Sequence, residues 1–132
     1  MQYEIQSASR VPIYQQLVRQ VREAIARGDL KAQEQLPSVR HLSRDLVVNP
    51  NTIARAYTEL EREGLLISRP GRGIYVAQPR NDLTRAARDR RLTEQLDRWL
   101  TEAVHLGYSA DEVLRLVAQR VRQFHWQNED AA

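Results

Sequence analysis

Apolar residues recur at helical spacing early in the chain. Ile13, Leu17, Val21, Ala24 and Ile25 fall on one stripe and predict an amphipathic helix. Pro12 suits the first position of that helix, and Gly28 suits its left-handed close. Residues 29–37 read as a loop ending in Leu36-Pro37. Ser38 is then a candidate N-cap for a short helix in which Val39, Leu42 and Leu46 point inward. The next helix start is better defined. Asn49 is a favoured cap residue, and Pro50 lacks an N–H that would go unpaired at the first position anyway. Ile53, Ala56, Tyr57 and Leu60 make its apolar stripe, and Gly64 ends it. Asn51, Arg55, Thr58 and Arg62 share the opposite face, with Thr52 beside them.

The period then shortens. Residues 65–69 and 74–77 read as two strands joined by Arg69-Pro70-Gly71-Arg72-Gly73, whose proline and glycines supply turn chemistry. Pro79-Arg80-Asn81-Asp82 marks a boundary. Beyond it Leu92, Leu96, Trp99, Leu100, Ala103 and Val104 fit one face of a long helix that Gly107 can end. Ser109-Ala110-Asp111-Glu112 has the capping-box pattern of another helix, predicted to bury Val113, Leu114, Val117, Val121 and Phe124. Residues 128–132 are expected to fray. Two helices with one apolar face each cannot build a core alone, so they need a packing partner.

Composition adds limits. The 132 residues hold one ordinary domain, or a small one with an appendage, and there is no cysteine for a disulfide or thiolate metal site. No apolar run approaches the roughly 18 residues that span a bilayer, and the N-terminus does not resemble a signal peptide. The expectation is a soluble, cytoplasmic protein. Net charge is +3, and its distribution is uneven. Residues 1–78 carry eleven basic against eight acidic side chains, whereas residues 79–132 carry nine of each. Only Lys31 among the basic residues is lysine, which suits forked contacts to phosphate or guanine and equally a compositional bias.

A short helix, a tight turn, a second helix with a polar outer face and a basic hairpin together make the plan of a winged helix-turn-helix. In such proteins the start of the second helix meets base edges in the major groove. Asparagine can pair with adenine, arginine with guanine, and threonine can offer its hydroxyl or touch a thymine methyl. Asn51, Thr52 and Arg55 stand where that would happen. Asn49 can serve the cap, a phosphate, or both. Arg40, in the first turn of the preceding helix, could grip a phosphate, reach the edge of the groove, or form a surface ion pair with Asp45 or a nearby glutamate. The wing tip could enter a minor groove. Alternative functions are fewer. His41, His105 and His125 lie in separate elements without ligand spacing, and no group of residues suggests catalysis, a metal or another cofactor. The Arg85–Arg91 run reads as a solvated helix face. Trp99, Tyr108, Phe124 and Trp126 favour a packed dimer interface over a small-molecule site. A ligand-gated sensor with an effector in the dimer groove, and a protein-interaction module, remain as alternatives.

The chain resembles the GntR family of bacterial transcription regulators, and most nearly its short YtrA-type subfamily. The similarity is carried by Pro12-Ile13-Tyr14-Gln15-Gln16-Leu17, Leu36-Pro37-Ser38-Val39-Arg40, Val48-Asn49-Pro50-Asn51-Thr52, Arg55-Ala56-Tyr57, Glu59-Leu60-Glu61 and Gly71-Arg72-Gly73. It implies a mainly α fold, with a winged-helix DNA-binding domain over residues 1–78 and a two-helix dimerisation region over 79–132. It also implies a homodimer on a pseudo-palindromic operator, most often acting as a repressor. By position, the family's DNA contacts fall on Arg40, Asn49, Asn51 and Thr52 with Arg55 close by, and on Pro70, Gly71 and Arg72. Dimer contacts are expected at Leu92, Leu96, Trp99, Leu100, Val104, Val117, Val121 and Phe124. One departure is local: the family usually has Pro-Gly in the loop before Leu36, where this chain has Ala32-Gln33.

Overall fold

Helix α1 (Ile13–Arg27) buries Leu17, Val21 and Ala24, as their spacing predicts, and adds Gln16 and Val18 to the covered face. Pro12 stands one residue earlier than expected. It is the N-cap, with extended ψ, and its carbonyl accepts from the Gln15 and Gln16 amides. A computed structural model describes residues 1–78 and 83–126. The boundary expected at Pro79-Arg80-Asn81-Asp82 and the fraying expected at residues 128–132 lie outside the described residues. Within these limits the order is α1, β1 (Gln35–Leu36), α2 (Val39–Leu46), α3 (Pro50–Arg62), β2 (Leu66–Arg69), β3 (Gly73–Val76), α4 (Arg85–His105) and α5 (Ala110–Val121). The fold is mainly helical, with one small antiparallel sheet ordered β1-β3-β2.

The residues divide into two units, one containing the elements through β3 together with His125, the other containing α4 and α5. In the first unit, α3 lies against α1, α2 and β2. Leu17, Val21, Leu36, Leu42, Ile53, Tyr57, Leu60, Leu66 and Val76 converge in one core. Ser38 caps α2 by accepting from the His41 amide, and Asn49 caps α3 by accepting from the Asn51 amide. The turn between these helices is held by Ser43, whose hydroxyl donates to the Val48 carbonyl at 2.6 Å and whose carbonyl accepts from the Val48 amide. Tyr57 ties α3 to the start of α2 by donating to the Pro37 carbonyl at 2.7 Å.

Two features exceed what the pattern predicts. First, the segment before α1 is tied to that helix, with Tyr3 and Ile5 packed on the core. Gln16, only 3% exposed, receives from the Gln6 amide and donates to the Gln6 and Val11 carbonyls. Gln20 does the same for the amide and carbonyl of Glu4. Four helical residues rise about 6 Å, close to the ~6.7 Å of two extended residues, so glutamines four apart act as a side-chain strand. Second, the loop before Leu36 contains a short strand instead of only irregular chain. Gln35 and Leu36 pair with Tyr75 and Ile74. Gln33 adopts φ +69° there, a left-handed backbone reached without a glycine.

Val47, the last residue before α3's approach, is also left-handed (φ +54°) and 90% exposed. A β-branched side chain is disfavoured in that region, and none of its methyls is buried to compensate. Val47→Gly is expected to raise urea-unfolding stability by about 0.5–1 kcal/mol, the relieved strain less the extra freedom of unfolded glycine. A lower stability would show that the turn is not strained.

Burial, and then the neighbouring Tyr3, hold the Tyr57 phenol protonated well above its ordinary range. The unfolded chain releases this proton first, so the contribution to stability is complete below about pH 10 and is lost as pH rises through the folded value. Tyr57→Phe should cost about 1–3 kcal/mol at neutral pH by orphaning the Pro37 carbonyl. It should also flatten the fall in stability above pH 10. Parallel alkaline profiles for the two proteins would sever that link.

Candidate nucleic-acid interface

The stripe Ile53, Ala56, Tyr57 and Leu60 is buried throughout, so the opposite edge of α3 must face outward. Asn51, Arg55, Thr58 and Arg62 are exposed there, and Thr52 is half-buried beside them. Asn49 spends its side-chain oxygen on the Asn51 amide at 2.8 Å, which fixes the cap and leaves its amide group to donate elsewhere. Of the two arginines further along α3, Arg62 pairs with Glu59. Arg55 instead reaches α1, where its guanidinium lies 3.8 Å over the Tyr14 ring.

Arg40 is exposed on the first turn of α2. The Asp45 carboxylate considered for it faces its neighbour instead: His41 Nε2 lies 3.2 Å away. Among the described residues no ion pair holds Arg40.

The wing has a built tip. The Arg72 amide donates to the Arg69 carbonyl across Pro70 and Gly71. Proline followed by a residue at φ +73° is the pair that a type II turn takes at its centre. The Arg72 carbonyl in turn accepts from the Gln35 amide at 3.0 Å and the Tyr75 hydroxyl at 3.1 Å. Gly73 cannot be replaced without moving this brace, because a Cβ there would lie 2.8 Å from Gln35 Nε2. Arg69 rests 5.1 Å from the Tyr75 ring centroid. Pro70, Gly71 and the Arg72 side chain are exposed at the end of the braced hairpin.

The second unit differs in kind. Thr84 caps α4, and Ser109 and Glu112 form the capping box foreseen for α5. Hydrogen bonds from the Ser109 backbone, then its side chain, hold the Glu112 carboxyl below its ordinary value. Yet only Ala103 and Val113 are buried in these helices. Leu92 (68% exposed), Val104 (72%) and Leu114 (66%) face water, as do Leu96, Trp99, Val117 and Val121, while Leu100 and Phe124 are half-buried. The expected burial of Leu114, Val117 and Val121 in α5 is thus not met within one chain. Two helices alone cover too little. A cavity of about 240 Å³ among Trp99, Ala103, Leu106, Tyr108, Val113 and Leu116 is smaller than the ~300–1,000 Å³ of ordinary ligand pockets. Among the described residues no cluster could hold a metal ion, and no helix is long and apolar enough to cross a membrane.

Sequence reasoning identified the outward face of α3 and the wing tip. It gave no role to Gln35 and Tyr75, which brace the wing, or to Tyr14 beyond its place in the family motif. The missed signal for Tyr14 was an aromatic residue outside α1's buried stripe.

A helix-turn-helix with a braced basic wing defines a winged-helix DNA-binding protein. The family profile "Bacterial regulatory proteins, gntR family" matches residues 13–76. The HTH-type transcriptional repressor YtrA of Bacillus subtilis (strain 168) is 34% identical over 110 residues, covering 83% of this chain and 85% of that protein. Among solved structures, a transcriptional antiterminator from Listeria monocytogenes EGD-e superposes with a TM-score of 0.75 at 29% identity, over 92% of this chain and 90% of that one. The DNA-binding domain of AraR, solved with operator ORX1, gives a TM-score of 0.52 at 26% identity, over 58% of this chain and 99% of that one. The chain belongs to the GntR family and is a DNA-binding transcription regulator.

Proposed function

We propose that this regulator acts as a homodimeric repressor in the cytoplasm, placing two copies of α3 in successive major grooves of a pseudo-palindromic operator. The exposed polar edge of α3 above a fully buried stripe carries this reading. Asn51 and Thr52, in the first turn of α3, read base edges. Arg40 and the amide of Asn49 meet phosphates, and Arg55 joins the same surface. Pro70, Gly71 and Arg72 enter the adjacent minor groove, where the braced tip presents its arginine to negative potential. The complex of AraR with operator ORX1 supports the use of this fold on duplex DNA, and the name of the Bacillus subtilis relative supports repression.

Residues 1–78 form the DNA-binding domain, and the region from 79 onward dimerises through Leu92, Leu96, Trp99, Leu100, Val104, Val117, Val121 and Phe124. The exposure of so many apolar side chains on two helices favours this use. The aromatic cavity beside Trp99 is small for a metabolite, so an effector is a secondary reading. The function needs no catalytic group, cofactor or metal.

Selecting duplexes from a random pool tests the assignment. The enriched motif should be two-fold symmetric, with half-sites one helical turn apart, about 34–36 Å. Asn51→Ala should weaken binding to that motif by about 1–3 kcal/mol while leaving shuffled duplex unaffected. An asymmetric motif, or an equal loss on both duplexes, contradicts the assignment. In sedimentation equilibrium the wild type should have twice its chain mass of 15.3 kDa. Leu96→Asp should yield monomers that bind the full motif at least tenfold more weakly. Dimers that persist unaltered in this variant would remove α4 from the interface.

A further inference from the structure

Arg55 is held on the outward surface of α3 by partners that lie on another helix. Besides the 3.8 Å stack, its Nη2 donates to the Tyr14 hydroxyl at 3.2 Å. The adjacent Gln15 donates to the same hydroxyl through Nε2 at 3.1 Å. A phenolic oxygen has two accepting lone pairs and one proton. With Arg55 and Gln15 on the lone pairs, the proton is directed to an acceptor elsewhere. The start of α1 and the second turn of α3 thus gather a hydroxyl, an amide and a guanidinium, all donors, with one positive charge. Among the described residues no carboxylate pairs with Arg55, in contrast to Arg62 and its partner Glu59.

Such a set suits an anionic oxygen. It suits a base edge poorly. Reading guanine requires both arms of the guanidinium fork, whereas one arm of Arg55, Nη2, is already engaged by the Tyr14 hydroxyl on α1. Stacking on an aromatic face also lowers the freedom that a long side chain would lose on binding.

We propose that Tyr14, Gln15 and Arg55 form a clamp for one phosphate of the DNA backbone, in which Tyr14 both contacts the phosphate and positions Arg55. The clamp rests on α3 being the helix that meets DNA, and it assigns Arg55 to register and affinity, leaving sequence choice to Asn51 and Thr52.

Fluorescence anisotropy tests it, using the duplex enriched from a random pool and a shuffled duplex of equal length, each titrated at several salt concentrations. Tyr14→Phe retains the ring and removes the hydroxyl. It should weaken both duplexes by one common factor, about three- to tenfold. Arg55→Lys keeps the charge, loses the stack and fork, and should give the same uniform loss. Arg55→Ala should further reduce the slope of log affinity against log salt by about 0.9, the value for one phosphate. Gln15→Ala, at an exposed position, carries the test if a Tyr14 variant unfolds, and should also weaken both duplexes alike.

The clamp is overturned if Arg55→Ala weakens the enriched duplex and spares the shuffled one. It is equally overturned if Tyr14→Phe melts normally and binds both duplexes like the wild type. A separate result, Asn51→Ala weakening both duplexes equally while the clamp variants behave as stated, would sink base reading by Asn51 and support the clamp as a sequence-blind contact.

Discussion

One side of α3 is committed to the core, and this commitment determines where the other side can point. Ile53 and Leu60 are entirely covered, and Ala56 and Tyr57 nearly so. Successive helical residues turn by about 100°, so rolling α3 one residue to hide Asn51 would bring this stripe toward water. Exposing each large apolar side chain costs about 1.5–3 kcal/mol, comparable in sum to the whole stability of a small domain. Two hydrogen bonds add position to rotation. Tyr57 ties α3 to Pro37 at the entrance to α2, and Ser43 fixes both polar groups of Val48 just before the Asn49 cap. The polar edge is therefore presented by a rigid body rather than by a loop. A surface that must match base edges within a fraction of an ångström needs that rigidity.

The wing achieves comparable definition with less core. Its hairpin pairs Leu66 with Val76 at the buried end and Arg69 with Gly73 near the tip. A lone two-stranded hairpin is marginal in water. The third strand, β1, and the two bonds to the Arg72 carbonyl provide what the hairpin lacks. Gln35 and Tyr75 bind to the backbone of Arg72, so its side chain is left to project from a fixed base. Glycine at position 73 meets two demands at once: a backbone at φ +112°, and a Cβ position already filled by the Gln35 amide.

Elements with a strong apolar period were legible from sequence almost to the residue, because burial and helical geometry ask for the same spacing. The caps at Ser38, Asn49 and Ser109 were legible for a related reason, since each acts within a few residues of its own position. What escaped depends on distant partners. Strand β1 is two residues long and exists through Tyr75 and Ile74, nearly forty positions later. The N-terminal segment has no periodic signal, and its hydrogen bonds come from Gln16 and Gln20, polar residues that lie off the apolar stripe of α1. Gln33 and Val47 occupy left-handed backbone that neither residue type favours, so composition gave no hint of either turn. At the interface the same division holds. The outward face of α3 follows from a period, whereas the direction of Arg55 follows from an aromatic ring 41 positions away.

The second unit makes the opposite demand on its surroundings. In the first, nearly every large apolar side chain finds the core; in the second, Leu92, Val104 and Leu114 remain mostly exposed on well-capped helices. Caps stabilise helix ends by about a kcal/mol each, which cannot sustain a 21-residue helix with an apolar face in water. A second copy is the economical cover, because a two-fold axis lets one patch serve as its own complement. The same symmetry would join two α3 helices, so the second half-site is met at the high effective concentration of a tethered partner. Burial in the tail and occupancy of both half-sites would then be thermodynamically linked, each favouring the other without a contact between them. On the proposed dimer, that linkage would let a small polar edge on α3 serve a regulator: the affinity would come from two such edges, held together by the apolar faces of α4 and α5.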